Sequence, residues 1–319
     1  MNGADDQLGT AGDTSSMPLT GPLTGPLTGP LTGKVALVAG ATRGAGRGIA
    51  VELGALGAAV ICTGRSTREL GSDLGRAETI DETAEQVTAA GGQGVAMRCD
   101  HSDDAQVRAL MGRVKAGYGN LDILVNDIWG GENLSEWGRK VWQQDLGKGR
   151  AMLDRAVWTH ILTAHAGLPL LREGGLIVEI TDGDGWSYRG NFFYDLAKTG
   201  VMRLAQNWAS ELAGDPRGVT SVSLTPGFLR SEEMLDHFGV TKANWQDAVA
   251  QDPNFAESET PHHVGRALAH LAADPHRYRF NAHALASWTL MDEYGFTDID
   301  GRRPHWGRWM ARSDVEKSQ

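Results

Sequence analysis

From residue 34 onward, short apolar runs alternate with stretches of helical periodicity, and the alternation predicts strands near 35–40, 58–63, 94–99, 121–126, 175–181 and 218–225. Helices are predicted near 45–56, 79–90, 103–117, 149–170, 194–213 and 261–273, and a last strand near Ala284–Leu290. Runs such as Val35-Ala36-Leu37-Val38-Ala39 are apolar throughout rather than at every second position, the pattern of strands buried on both faces of a parallel sheet. Strands and helices in strict alternation predict an α/β domain, a doubly wound parallel sheet with right-handed crossovers.

The pattern also sets the organisation around that domain. Residues 1–17 are polar and glycine-rich, and residues 18–33 read Pro-Leu-Thr-Gly four times, so residues 1–33 are expected to be a flexible leader. Residues 34–291 form the single expected domain, with residues 228–260 as a substrate-side insertion of short helices. Residues 292–319, rich in Trp, Arg and Asp, are a C-terminal extension.

The first strand runs straight into Gly40-Ala41-Thr42-Arg43-Gly44-Ala45-Gly46 and then a helix. Gly40 permits the tight turn, Gly44 and Gly46 let backbone N–H groups approach a pyrophosphate, and the helix aims the positive end of its dipole at that anion. Thr42 and Arg43 belong to the same phosphate-binding turn. The second strand ends in Thr63-Gly64-Arg65-Ser66, where the adenosine ribose would arrive. An acid there would bind the free 2'-hydroxyl of NAD; Arg65 instead offers a guanidinium fork for a 2'-phosphate, with Arg43 as a second cation, so the expected cofactor is NADP(H).

Tyr194 and Lys198 stand four apart at the start of a predicted helix, so both side chains project from one face. A nearby ammonium lowers the pKa of a phenol, and the pair is expected to act as a proton donor and acceptor. The spacing Gly-x-x-x-Gly-x-Gly followed by Tyr-x-x-x-Lys resembles the short-chain dehydrogenase/reductase superfamily over roughly residues 34–230, with Ala39 where that family usually has Thr. The resemblance implies a Rossmann fold, with Tyr194 as general acid or base at the substrate oxygen and Lys198 also holding the nicotinamide ribose. It further implies that Asp100 lies beside the adenine ring, that Asn126 belongs to the cofactor site, and that Pro226, Gly227 and Ser231 form the loop that meets the nicotinamide carboxamide.

Two positions depart from the family pattern. The catalytic serine lies 12 or 13 residues before the tyrosine, which here selects Asp182 or Thr181, and Thr181 is the favoured donor to a substrate oxygen. A charged Asp182 would instead attract a cationic iminium. The family's catalytic asparagine has no counterpart, since no Asn occurs from 134 to 190; His160 or His165 is the candidate relay.

Net charge −10 argues against nucleic acid or an anionic membrane as partner, no run approaches a membrane span, and no signal peptide is visible, so a cytoplasmic protein is expected. The two cysteines, Cys62 and Cys99, are expected to be reduced core residues, and no metal is expected, because His262-His263 has no companion ligands. Asp298-Ile299-Asp300-Gly301 fails as a calcium loop, since its twelfth position is Trp309. Ten Trp, with Trp129, Trp137, Trp142 and Trp186 near the expected cleft, suit a bulky or aromatic small-molecule substrate. The expectation is an NADP(H)-dependent oxidoreductase moving hydride between nicotinamide and a carbonyl or alcohol carbon. The alternatives are a C=N reductase and a cofactor-binding sensor or scaffold without turnover. By family analogy the chain is expected to form a homodimer or homotetramer.

Overall fold

In the computed structural model, residues 28–73 and 75–317 are described; residues 1–27 of the expected leader lie outside them. The strands are β1 (Val35–Ala39), β2 (Ala59–Gly64), β3 (Gln93–Arg98), β4 (Leu121–Asn126), β5 (Leu171–Ile180), β6 (Thr220–Thr225) and β7 (Ala284–Ala286). They form one parallel sheet in the order β3-β2-β1-β4-β5-β6-β7. Successive side chains of a strand face opposite sides, and β1 shows it: Ala36 and Val38 join one core cluster, Val35, Leu37 and Ala39 the other. A doubly wound single domain follows, as the apolar runs predict.

The helices α1 (Gly44–Ala55), α2 (Ile80–Ala89) and α3 (Asp104–Tyr118) follow the first three strands. After β4 come α4 (Leu146–Leu153) and α5 (Thr159–Gly167), and after β5 comes α6 (Phe192–Glu211). The remaining helices are α7 (Glu232–His237), α8 (Pro261–Ala273), α9 (Ser287–Tyr294) and α10 (Trp306–Lys317). The single helix expected over 149–170 is thus interrupted by a wide π turn, Asp154–Trp158, and the strand expected near Ala284–Leu290 stops at Ala286, where α9 takes over.

The boundary of the expected leader is also corrected. Leu31, inside the last Pro-Leu-Thr-Gly unit, is 2 % exposed, joins the core, and donates its N–H to the Leu56 carbonyl at 2.9 Å. Residues 28–33 therefore cap the end of α1 instead of trailing from it.

The insertion over 228–260 folds around its own small core of Leu235, Val240, Trp245, Ala248 and Phe255. The C-terminal extension runs back across it. Asp298, 1 % exposed, accepts from the Thr260 N–H and hydroxyl, Arg230 pairs with Asp300 at 2.8 Å, and Arg302 donates to the Ala256 carbonyl at 2.9 Å. This polar strap over 295–305 delivers Trp306 to the carboxyl edge of the sheet, beside Gly227 and Phe228.

Candidate active site

In an open α/β sheet a ligand crevice forms beyond the carboxyl ends of the strands, where the strand order reverses. Here that point lies between β1 and β4, and a cavity of about 680 Å³ opens there. It joins the glycine turn, represented by Gly40, Thr42, Arg43 and Gly44, to Tyr194 and Lys198. Arg65, Asp100, Thr181, Asp182, Pro226, Gly227 and Ser231 also line it.

Gly40 has φ +94°, and a Cβ there would lie 2.2 Å from the Asp127 carbonyl oxygen, so the turn tolerates no side chain. Gly46 does not line the cavity; a Cβ on it would meet the Gly40 carbonyl at 2.3 Å, and its role is to let α1 sit against the turn. The Gly44 N–H donates to the Glu232 carboxylate at 2.9 Å, a contact that sequence reasoning missed because the two lie 188 residues apart.

Both predicted cations stand on the cavity wall with acidic partners: Arg43 with Glu132 and Arg65 with Asp73, each at 2.8 Å. Asn126 does not line the cavity, contrary to expectation. It is buried and donates to the Glu179 carboxylate at 3.0 Å. Glu179, 0 % exposed, also accepts from Trp208 Nε1 at 2.9 Å and lies 2.6 Å from His160 Nδ1. His160, 1 % exposed, is sealed in this network and His165 is exposed; neither lines the cavity. Of the four tryptophans, Trp129 lines the cavity and Trp137 packs on the Tyr194 ring at 5.2 Å, while Trp142 and Trp186 are exposed and do not line it.

The Asn191 side chain caps α6 by accepting from the Tyr194 N–H at 3.1 Å, which fixes Tyr194 in the first turn and Lys198 one turn on. Trp129 meets the Tyr194 ring edge-on at 5.5 Å, and the Lys198 ammonium sits 4.1 Å from the Trp129 ring centroid. The Thr181 hydroxyl, favoured for the serine position, is turned away: it donates to the Lys198 carbonyl at 2.7 Å, and Thr181 is 3 % exposed. Asp182 is the residue that meets the phenol, whose O–H donates to Asp182 Oδ2 at 2.8 Å.

That contact reverses an expectation. Burial and the Asp182 charge hold the Tyr194 phenol well above its usual range, so Lys198 does not lower it. Burial lowers Lys198. Loss of solvation pushes Asp127 up to about 7, against Lys198 and a backbone bond from Gly46 that favour its ionised form. An acid raised in the folded state loses stability as pH climbs from its unfolded pKa of 3.8 through about 7, because the native state holds the proton that the unfolded chain has released. Asp127→Asn keeps an acceptor and removes this titration. The variant is expected to gain on the order of 1–2 kcal/mol at pH 8 and little at pH 4, read from urea midpoints at the two pH values.

Burial likewise pushes Glu259 up to about 8; it accepts from the Gly227 N–H at 2.9 Å and the Ser287 hydroxyl at 2.6 Å, and so anchors the cavity wall at Gly227. Cys62 and Cys99 are buried and free of disulfides. No helix among the described residues is long and apolar enough to cross a membrane.

The donor set fits a nicotinamide dinucleotide: a glycine turn at a helix N-terminus, two guanidinium groups on the wall beside it, and a tyrosine–lysine pair in the same cavity. Comparisons agree with this geometry. The short chain dehydrogenase family model matches residues 34–239. Mouse dehydrogenase/reductase SDR family member 1 is 31 % identical over 262 residues, covering 80 % of each chain. A Mycobacterium tuberculosis reductase of a hydroxy-methyl-oxo-hexahydroindene-carboxyl-CoA is 30 % identical over 231 residues, covering 70 % of this chain and 80 % of its own. The crystal structure of a short chain dehydrogenase from Mycobacterium thermoresistibile superposes with TM-score 0.71 at 22 % identity, over 87 % of this chain and 92 % of that one, a likeness of fold.

Proposed function

The chain belongs to the short-chain dehydrogenase/reductase family, and on that premise we propose that it is an NADP(H)-dependent oxidoreductase moving hydride to or from the carbon of a polar bond in a small, bulky or aromatic substrate, a carbonyl or alcohol in the simplest case. The observation that carries this reading is the single cavity wall shared by the glycine turn and the Tyr194–Lys198 pair. Bound there, the nicotinamide would supply or accept the hydride. Lys198 is assigned to the nicotinamide ribose hydroxyls, and the ring of Trp129 orients its ammonium. Tyr194 is assigned to the substrate heteroatom, Ser231 to the carboxamide, and Arg65 and Arg43 to the 2'-phosphate.

Support for NADP(H) is that Arg65 stands on the cavity wall and its partner is an exposed carboxylate that a phosphate can displace. Wild type is expected to bind NADPH at least tenfold more tightly than NADH in fluorescence titrations, and Arg65→Ala to lose most of that ratio with NADH affinity unchanged. Equal affinities in wild type would refute the assignment. NADPH binding without hydride transfer to any of a panel of ketones, aldehydes and imines would favour the non-catalytic sensor. The exposed Leu146, Trp158 and Leu196 on α4, the π turn and α6 support self-association through these helices in a cytoplasmic dimer or tetramer.

A further inference from the structure

Carbonyl reduction needs two things from a protein: hydrogen-bond donors for the oxygen that gains charge, and a proton to complete the alcohol. The substrate end of this cavity is poorly arranged for either. The Thr181 hydroxyl is committed to the Lys198 carbonyl, and the Tyr194 hydroxyl points at Asp182. A carboxylate on the cavity wall would repel an oxygen acquiring negative charge.

The same groups suit the opposite charge. Lys198 and Asp182 act on each other, yet among the described residues the Asp182 carboxylate has no ion pair: the Lys198 ammonium stacks on Trp129, and Arg189 pairs with Asp195 at 2.9 Å while its Nε donates to the Asp182 backbone carbonyl at 2.5 Å. Beside it stand the rings of Tyr194 and Trp129, and Phe228 and Trp306 line the same cavity. Aromatic faces and an acceptor-only carboxylate are the surroundings that bind an organic cation.

Building on the oxidoreductase reading, we propose that the substrate is an iminium or protonated imine, whose positive nitrogen is held by Asp182 and the aromatic wall. The step balances without a proton from the protein. Hydride from reduced nicotinamide adds to the iminium carbon, the C=N π pair moves onto nitrogen, the cation becomes a neutral amine, and the nicotinamide leaves oxidised. Tyr194 stays beside the substrate nitrogen as assigned, with its hydroxyl also holding Asp182 in place.

The test uses the full chain with NADPH and two probes of similar size, the cation 2-methyl-3,4-dihydroisoquinolinium and the neutral ketone 1-tetralone. Tryptophan quenching should show the cation binding at least about tenfold more tightly than the ketone, and stopped-flow NADPH oxidation should show hydride passing to the cation preferentially. Asp182→Asn, which keeps an acceptor for Tyr194 but removes the charge, should weaken cation binding by roughly tenfold or more while NADPH affinity holds. Asp182→Ser should shift preference toward the ketone.

Equal binding of the two probes, or undiminished cation binding in Asp182→Asn, would overturn the proposal. Reduction of 1-tetralone with the cation inert would overturn it and leave the oxidoreductase reading standing. Failure to bind NADPH would remove both.

Discussion

Replacing Lys198 by Met is expected to lower turnover by about 10²–10⁴-fold on whichever substrate wild type reduces, the largest functional loss foreseen for a single side chain outside the glycine turn. Three contacts go at once. The ammonium proposed for the nicotinamide ribose is gone, the Trp129 ring loses the cation 4.1 Å from its centroid, and the acidic groups of Asp127 and Asp182 lose a common positive neighbour. The last change makes a distinctive readout. Without Lys198 to favour ionisation, the Asp127 carboxyl moves further up from about 7, so its titration leaves the window between pH 6 and 8 and NADPH binding there becomes less sensitive to pH than in wild type. Titrations across that range, combined with single-turnover rates, check both effects; a turnover loss with the wild-type pH profile of NADPH binding retained would separate Lys198 from Asp127.

Glu179→Ala is expected to destabilise the fold by about 3–5 kcal/mol, read as a drop in the urea midpoint. The carboxylate is fully buried and gathers Asn126, Trp208 and His160 from three different elements. Alanine leaves those groups facing a void, whereas Glu179→Gln keeps one acceptor and should cost less. A loss under about 1 kcal/mol for Glu179→Ala would mean that water replaces the carboxylate without strain.

Much of this architecture was legible in the chain. The β1 run, its glycine turn and α1 are local features set by apolar continuity and backbone freedom, and they appear within a residue of where the pattern predicts them. Tyr194 and Lys198 share a helix face because helical spacing requires it. What escaped notice depends on contacts between distant parts of the chain. The choice between Thr181 and Asp182 turns on which one α6 captures: Lys198 supplies a backbone carbonyl that takes the threonine hydroxyl and leaves the next side chain to Tyr194. Asn126 lies at the end of an apolar strand in a position that suggests the cleft, yet the buried acid Glu179, 53 residues later, draws it inward. Leu31 sits in a repeat whose composition signals flexibility, and only the open end of α1 gives it a place to pack. The π turn at Asp154–Trp158 likewise has no period of its own in the apolar pattern.

The strap that carries Trp306 differs in kind from the sheet it covers. Beyond Phe296, which joins one apolar core, its anchors are chiefly carboxylate–guanidinium and side-chain-to-backbone bonds to residues 230 and 256–260, whereas the strands are locked by two continuous apolar cores. Segments with few apolar contacts open at a lower free energy than the global unfolding, and their amides exchange with solvent by that local route. Amides over 297–305 are therefore expected to exchange faster than those of β1 and β4, and hydrogen exchange of the full chain checks it.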